Sequence, residues 1–167
     1  MTSLSLPGPS IPEVPFKRNI LMSSSATAEQ VPLTGLSDSR FFGAALPFIG
    51  RIFISAIFLI SGLGKITAPA DMIGYIKSAG LPLPLLAFAI AVVVEIGGGL
   101  ALIAGYRTRL VATVLAVFCV ATALGFHNDL ADQNQFIHFF KNMAMTGGLL
   151  QIVAFGAGRF SLDGRRR

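Results

Sequence analysis

Apolar residues are gathered into four long runs along the chain, and polar residues fall between them. The runs cover approximately residues 45–64, 83–104, 110–126 and 136–156, and Arg, Lys or Tyr bounds each of them. A helix needs roughly 20 mostly apolar residues to cross a hydrocarbon core about 30 Å thick. Each run is close to that length, so the pattern predicts an all-α fold, an integral membrane four-helix bundle.

The composition supports the same class of protein. The chain has 167 residues, of which 53% are hydrophobic and only 13% charged, whereas about a quarter of the residues are charged in a typical soluble protein. A globule of this size has too little interior to hide the apolar excess. We therefore expect lipid to cover it, in one compact membrane domain with short loops.

Lysine and arginine are distributed unevenly between the two predicted sides of the membrane. The side that holds both termini carries Lys17, Arg18, Arg40, Arg51, Arg107, Arg109, Arg159, Arg165, Arg166 and Arg167. The other side carries Lys65, Lys77 and Lys141. An excess of basic residues marks the cytoplasmic side, so the pattern predicts a multi-pass protein of the inner (plasma) membrane with both termini in the cytoplasm. The net charge of +5 thus fits a membrane, and we expect no nucleic-acid partner.

The chain is predicted to have three parts. Residues 1–40 are rich in Ser, Pro and Thr and lack the apolar segment of a signal peptide, so we expect a flexible cytoplasmic tail, with Met22 as an alternative start. Residues 41–158 form the transmembrane domain, and residues 159–167 form a basic cytoplasmic tail. Between the first two runs, residues 66–82 are long enough for a short amphipathic segment at the outer interface.

Small residues and the single cysteine are interpreted as packing features. Gly97, Gly98 and Gly99 in the second run, and the Ala144–Gly148 spacing in the fourth, allow helix backbones to approach closely. Cys119 lies in the middle of the third run, where we expect a buried, unreactive thiol.

Glu95 is the most informative polar residue, because it lies well inside the second run. An ionised carboxylate in hydrocarbon costs a few kcal/mol or more, so it must be neutral, paired, or next to a wet cavity. Arg51 is its expected partner, on a stripe of helical spacing that ends at Lys65 and should face into the bundle. Two interpretations stay open: a proton-handling or ligand-orienting group, and a buried pair that fixes helix packing.

A second group of polar side chains gathers where the runs end on the predicted outer side: Lys65, His127, Asp129, Asp132, His138, Lys141 and Asn142. His and Lys near a membrane interface suit hydrogen bonding to quinone carbonyls and proton relay. A solvated cluster of helix ends explains them equally well. A metal site or a bis-His haem is weaker, because the ligands are scattered and near helix ends, and no flavin site is apparent. We therefore predict no haem, flavin or metal.

Four segments resemble the DoxX family of bacterial four-helix membrane proteins. They are RIFISAIFLISGLGK at residues 51–65, EIGGGLALIAGYRTR at 95–109, FKNMAMTGGLL at 140–150 and GRFSLD at 158–163. The resemblance extends over about residues 48–163 in the right order. It implies a membrane protein often placed among quinone-linked oxidoreductases, although fold alone does not fix chemistry.

The leading expectation is a membrane subunit of a quinone-linked oxidoreductase system, with quinone as a diffusible substrate and other proteins of a redox complex as partners. Glu95 and Arg51 would be the catalytic groups that handle protons. The residues expected to contact quinone are Lys65, His127, His138, Lys141 and Asn142. The alternative is a non-enzymatic membrane anchor or assembly partner for redox proteins. A small carrier is a third class, which would require a homo-oligomer.

Overall fold

The computed structural model describes the backbone of residues 33–166 and the side chains of residues 41–165. Within that range the fold is entirely helical and has no strand, which confirms the all-α prediction. The helices are α1 (Leu33–Thr67), α2 (Pro69–Ser78), α3 (Pro84–Ala104), α4 (Thr108–Phe126) and α5 (Gln133–Phe155). Most of the predicted N-terminal tail, residues 1–40, lies outside the described residues, and α1 itself begins at Leu33.

Three helices are long and apolar enough to cross a membrane: the Phe41–Thr67 part of α1, α3 and α4. This confirms three of the predicted spans. Helix α5 has 23 residues, but His138, Lys141, Asn142 and Gln151 interrupt its apolar sequence, and it is not among the three. The fourth span and the side on which the termini lie stay predictions.

Proline and glycine define several helix boundaries. Pro69 opens α2 and Pro84 opens α3, as expected because the first turn of a helix has no use for the missing N–H. Gly105 ends α3 in a left-handed conformation with φ of 68°, which glycine adopts without steric cost. Asp132 caps α5 by accepting a hydrogen bond from the Gln135 amide at 2.8 Å.

Helix α3 contains a π-helical turn over Val93–Gly97, between regular α-helical stretches on either side. A π turn inserts one residue into a helix and occurs frequently at functional sites. Glu95 lies at its centre and is only 5% exposed. The local distortion therefore coincides with the buried carboxylate.

One apolar core joins the four long helices. Fully buried side chains come from α1, α3, α4 and α5: Phe58, Leu102, Leu115, Cys119 and Leu149. Cys119 is buried, as predicted. The outer surface is also apolar, with Phe53, Ile60 and Phe155 more than two-thirds exposed. Such a surface is unfavourable in water and suits a lipid environment.

Helices α1 and α3 approach each other closely at glycines. A Cβ on Gly62 would lie 2.6 Å from Cγ1 of Ile96, and one on Gly99 would lie 2.9 Å from Cδ2 of Leu59. Gly148 of α5 faces Ile54 in the same way, at 3.0 Å. The packing role is thus confirmed for Gly99 and Gly148, whereas a Cβ on Gly97 would have no such neighbour within 4 Å.

The chain after α5 turns back and closes one end of the fold. The amides of Leu162 and Asp163 donate to the carbonyls of Ala104 and Gly105, at 3.1 and 2.9 Å. The Asp163 carboxylate accepts from the amide and the hydroxyl of Thr108, both at 2.8 Å, and so caps α4. Residues 159–163, predicted as part of a basic tail, are instead built into the fold.

Candidate functional site

A cavity of about 650 Å³ lies among α1, α2, α3, α4 and α5. Most of its wall is apolar and comes from side chains such as Phe58, Met145 and Phe126. The polar side chains that line it are Ser61, Lys65, Tyr75, Glu95, Thr122, His127, Lys141 and Asn142. Its volume lies within the range of about 300–1,000 Å³ typical of small-molecule sites. An apolar wall with a few polar groups is also typical of such sites.

Lys65 and Glu95 form an ion pair on the cavity wall. Nζ of Lys65 lies 2.8 Å from Oε1 and 2.9 Å from Oε2 of Glu95. The same Nζ donates to the Ser61 hydroxyl at 2.8 Å, and that hydroxyl donates to Oε1 of Glu95 at 3.2 Å. Ser61 and Lys65 are four residues apart, so they share one face of α1. The pair and the serine form a closed three-group network.

The predicted Arg51–Glu95 pair is wrong. Arg51 is only 1% exposed, and its guanidinium donates to the carbonyls of Leu102 and Ile103, at 2.9 and 3.0 Å, and of Phe160. The inward stripe on α1 is correct, but it carries a cation near each end. Because α3 runs antiparallel to α1, Glu95 lies opposite Lys65, and the last turn of α3 lies opposite Arg51.

The residues predicted at the outer end of the helices do come together. Nδ1 of His127, just after α4, lies 3.0 Å from Oε1 of Gln135. The rings of His127 and His138 stack with centroids 5.0 Å apart. Nζ of Lys141 donates to Nδ1 of His138 at 2.8 Å. The two contacts of His127 join the end of α4 to the beginning of α5.

Four of the five residues predicted to contact quinone line one cavity: Lys65, His127, Lys141 and Asn142. His138 is not on its wall but contacts three residues that are: its ring contacts His127 and Lys141, and its backbone contacts Asn142. Its carbonyl accepts a hydrogen bond from Nδ2 of Asn142 at 3.0 Å. The structure thus confirms the predicted juxtaposition, while the roles of these residues remain predictions.

The two acids of the predicted outer cluster, Asp129 and Asp132, accept hydrogen bonds from backbone amides. Asp132 caps α5, as described above, and Asp129 accepts from the Ala131 amide at 3.2 Å. In the described part of the chain, no three His, Cys, Asp or Glu side chains are grouped closely enough to hold a metal ion.

Helix α2 supplies a wall of the cavity that the sequence reading missed. Ile76 is 3% exposed, and Met72, Tyr75 and Ile76 all line the cavity. The Tyr75 ring stacks on Phe126 with centroids 5.6 Å apart, and its hydroxyl donates to the Phe126 carbonyl at 3.4 Å. The spacing of these three residues at i, i+3 and i+4 was the available signal for an inward helix face. Ser61 was also missed, although it lies one turn before Lys65.

Comparison with known proteins identifies relatives over most of the chain. The sequence model of the DoxX family matches residues 46–128. Inner membrane protein YqjF of Escherichia coli (strain K12) is 36% identical over 118 residues, which cover 69% of this chain and 87% of that protein. Inner membrane protein YphA of the same strain is 35% identical over 133 residues, which cover 74% of this chain and 94% of that protein. No solved structure matches the chain.

Proposed function

Because the chain belongs to the DoxX family, we propose that this membrane protein is a subunit of a quinone-linked oxidoreductase system and holds quinone in the cavity described above. The observation that carries the proposal is the position of the Lys65–Glu95 pair on the wall of an otherwise largely apolar cavity. A pair that only fixed helix packing would need no such space beside it.

The shape and chemistry of the cavity suit a lipophilic ligand with a polar head. Apolar walls would cover the ring and the first part of a hydrocarbon tail. Lys141 and Asn142 offer N–H donors for the ring carbonyls, and His127 offers a ring nitrogen. Ile60 and Ile90 both line the cavity and are 71% and 51% exposed, so the cavity reaches the outer surface between α1 and α3. A ligand could thus enter from the lipid.

Reduction of a quinone to a quinol takes two electrons and two protons. The chain contains one cysteine and two histidines, and that cysteine is buried in the apolar core, so we assign the electrons to a partner redox protein. The Lys65–Glu95 pair would pass the two protons to the ring in turn and take up a proton from water after each transfer, and Ser61 bridges the two groups. In this proposal Glu95 is the proton-handling group, and Arg51, which lies outside the cavity, has a structural role.

The proposed arrangement places α5 in the membrane with α1, α3 and α4, in the inner membrane, with both termini in the cytoplasm. Two polar residues of α5 are compatible with this arrangement, whereas Gln151 is exposed. Asn142 is buried and Lys141 lines the cavity, so neither side chain needs to face lipid. A Cys introduced at Ala131 or at Arg165, in a Cys119→Ser background, tests the topology through labelling by a membrane-impermeant maleimide.

The proposal is tested on protein purified gently from its native membrane. We expect mass spectrometry to find stoichiometric quinone in the wild-type protein and to find it strongly reduced in Lys141→Gln. Lys77→Gln removes the same charge from the exposed face of α2, outside the cavity, and should retain quinone. Absence of quinone from the wild type, or equal retention in both variants, would contradict the proposal.

The alternative, a membrane anchor for redox proteins, is favoured by the basic chain end. Arg165, Arg166 and Arg167 follow Gly164, whose amide donates to the Ser161 hydroxyl at 2.9 Å. Deleting residues 165–167 should abolish capture of the partner under this alternative and leave bound quinone unchanged. Capture that survives the deletion would count against the anchor, and it would leave the cavity as the functional feature.

A further inference from the structure

A second cavity, of about 830 Å³, lies at the opposite end of the fold from His127 and Lys141. It is formed where α4 begins, where α5 ends and where the chain turns back. Three arginines line it: Arg107, Arg109 and Arg159. The proposed quinone site uses none of these residues.

The charge of this cavity is strongly positive. Asp163 is the only acid on its wall, in the described part of the chain, and its carboxylate accepts from the amides of Arg107 and Thr108 and from the Thr108 hydroxyl. Three guanidinium groups therefore face one carboxylate that is engaged with the start of α4. Guanidinium groups match the geometry of phosphate oxygens, to which they donate two parallel hydrogen bonds.

The cavity also has an apolar side. Leu110 and Phe155 line it and are 57% and 81% exposed. Both belong to helix ends: Leu110 is in the first turn of the α4 span, and Phe155 is the last residue of α5. Arg107 and Arg159 thus lie just beyond the helices, and Leu110 and Phe155 lie just inside them. Free phosphate has no apolar group that could contact that side.

We propose that this cavity binds an anionic glycerophospholipid, with its phosphate on Arg107, Arg109 and Arg159 and its acyl chains along Leu110 and Phe155. Basic pockets between membrane helices bind acidic lipid head groups in this way. The assignment holds whichever side of the membrane this end of the fold faces. It is also independent of the quinone proposal, because the two cavities share no lining residue.

The test is native mass spectrometry of the full-length protein in detergent, titrated with phosphatidylglycerol and, separately, with phosphatidylcholine. We expect the wild-type protein to retain phosphatidylglycerol in preference to phosphatidylcholine. The Arg109→Gln, Arg159→Gln double variant should weaken phosphatidylglycerol binding by roughly tenfold or more. The matched control, Lys77→Gln with Arg165→Gln, removes two exposed charges outside the cavity and should bind as the wild type does.

Several results would overturn the proposal. An equal loss in the control would show attraction by net charge alone, and equal binding of phosphatidylcholine would show apolar adhesion alone. Displacement of phosphatidylglycerol by millimolar inorganic phosphate would identify the ligand as a free anion. The two lipid comparisons and the phosphate competition use wild-type protein, so they decide the question even if the double variant does not fold.

Discussion

Helix α1 carries two inward-facing cations, Arg51 in its middle and Lys65 in its last turn, and their neighbours differ in kind. Arg51 donates only to backbone carbonyls in the described structure. They belong to α3 and to residues 159–163, the closing segment. Lys65 instead meets a carboxylate and a hydroxyl, and it lines a cavity. Arg51 joins parts of the backbone that cannot change their charge. Lys65 has a partner that can gain a proton.

The difference shows that burial alone does not mark a functional charge. Both side chains lie on the inward face of α1, and Arg51 is the more deeply buried of the two. What separates them is the kind of neighbour: fixed dipoles for Arg51, and a titratable group with space beside it for Lys65. The predictions below test this distinction, from the largest expected effect to the smallest.

Replacing Arg51 should affect stability more than any other single change. In Arg51→Met, the carbonyls of Ile103 and Phe160 lose the guanidinium as donor, and the Leu102 carbonyl keeps only the Gly105 amide. Each buried group left unsatisfied costs about 1–3 kcal/mol. We expect a loss on the order of 5 kcal/mol in total, seen as a much lower melting temperature in detergent. Arg165→Met is the exposed control. A variant that melts normally but fails to support quinone reduction would make Arg51 a functional residue.

Breaking the Lys65–Glu95 pair should separate stability from function. Either Lys65→Met or Glu95→Gln leaves one buried partner uncompensated and should cost about 3–5 kcal/mol. The double variant removes both charges and should be more stable than either single variant. Quinone-dependent activity should be lost in all three variants, as measured in reconstituted membranes. Recovery of activity in the double variant would reduce the pair to a packing element.

Gly62 controls how closely α1 and α3 approach each other beside the pair. In Gly62→Ala the new methyl group would meet Cγ1 of Ile96 at 2.6 Å and Cβ of Glu95 at 3.2 Å. We expect overpacking to cost about 1–3 kcal/mol and to reduce the amount of bound quinone. Gly97→Ala, on the open side of α3, should change neither the melting temperature nor the bound quinone. Similar effects at both glycines would show that helix flexibility, rather than helix approach, matters.

The smallest effect is expected at the α2 wall. Tyr75→Phe keeps the ring on Phe126 but removes the hydrogen bond to the Phe126 carbonyl, which at 3.4 Å is long. We expect a loss of about 0.5–1 kcal/mol and nearly normal quinone retention. Tyr75→Ala also removes the stacked ring and should release quinone faster. Equal quinone release in the two variants would attribute the effect to the hydroxyl.

The apolar runs predicted the long helices well, because helices that face lipid must be apolar over their whole length. The predicted run 83–104 corresponds to Pro84–Ala104, and 110–126 corresponds to Thr108–Phe126. The polar cluster at one end was predictable for a related reason. Short loops make neighbouring helices antiparallel, so residues such as His127 and Lys141 must lie at the same level.

The partner of Glu95 could not be predicted in the same way. One stripe of α1 carries two cations, and the sequence does not specify how far α1 slides along α3. That register depends on close contacts such as Gly62 against Ile96. The role of the closing segment in holding Arg51 was not predicted for another reason. Arg51 donates to the backbone carbonyl of Phe160, and because every residue has a backbone carbonyl, the sequence does not mark this partner.

The hydrogen bonds from Arg51 to Leu102, Ile103 and Phe160 also set an order of events during biosynthesis. Arg51 leaves the ribosome 109 residues before Phe160, and it precedes its partners Leu102 and Ile103 by 51 and 52 residues. The first helix must therefore enter the bilayer with its guanidinium not yet held by these carbonyls. These hydrogen bonds are complete only after residue 160 has left the ribosome. A nascent chain that stalls before residue 160 would leave the insertion machinery with this arginine only partly satisfied, a state that membrane quality control could recognise.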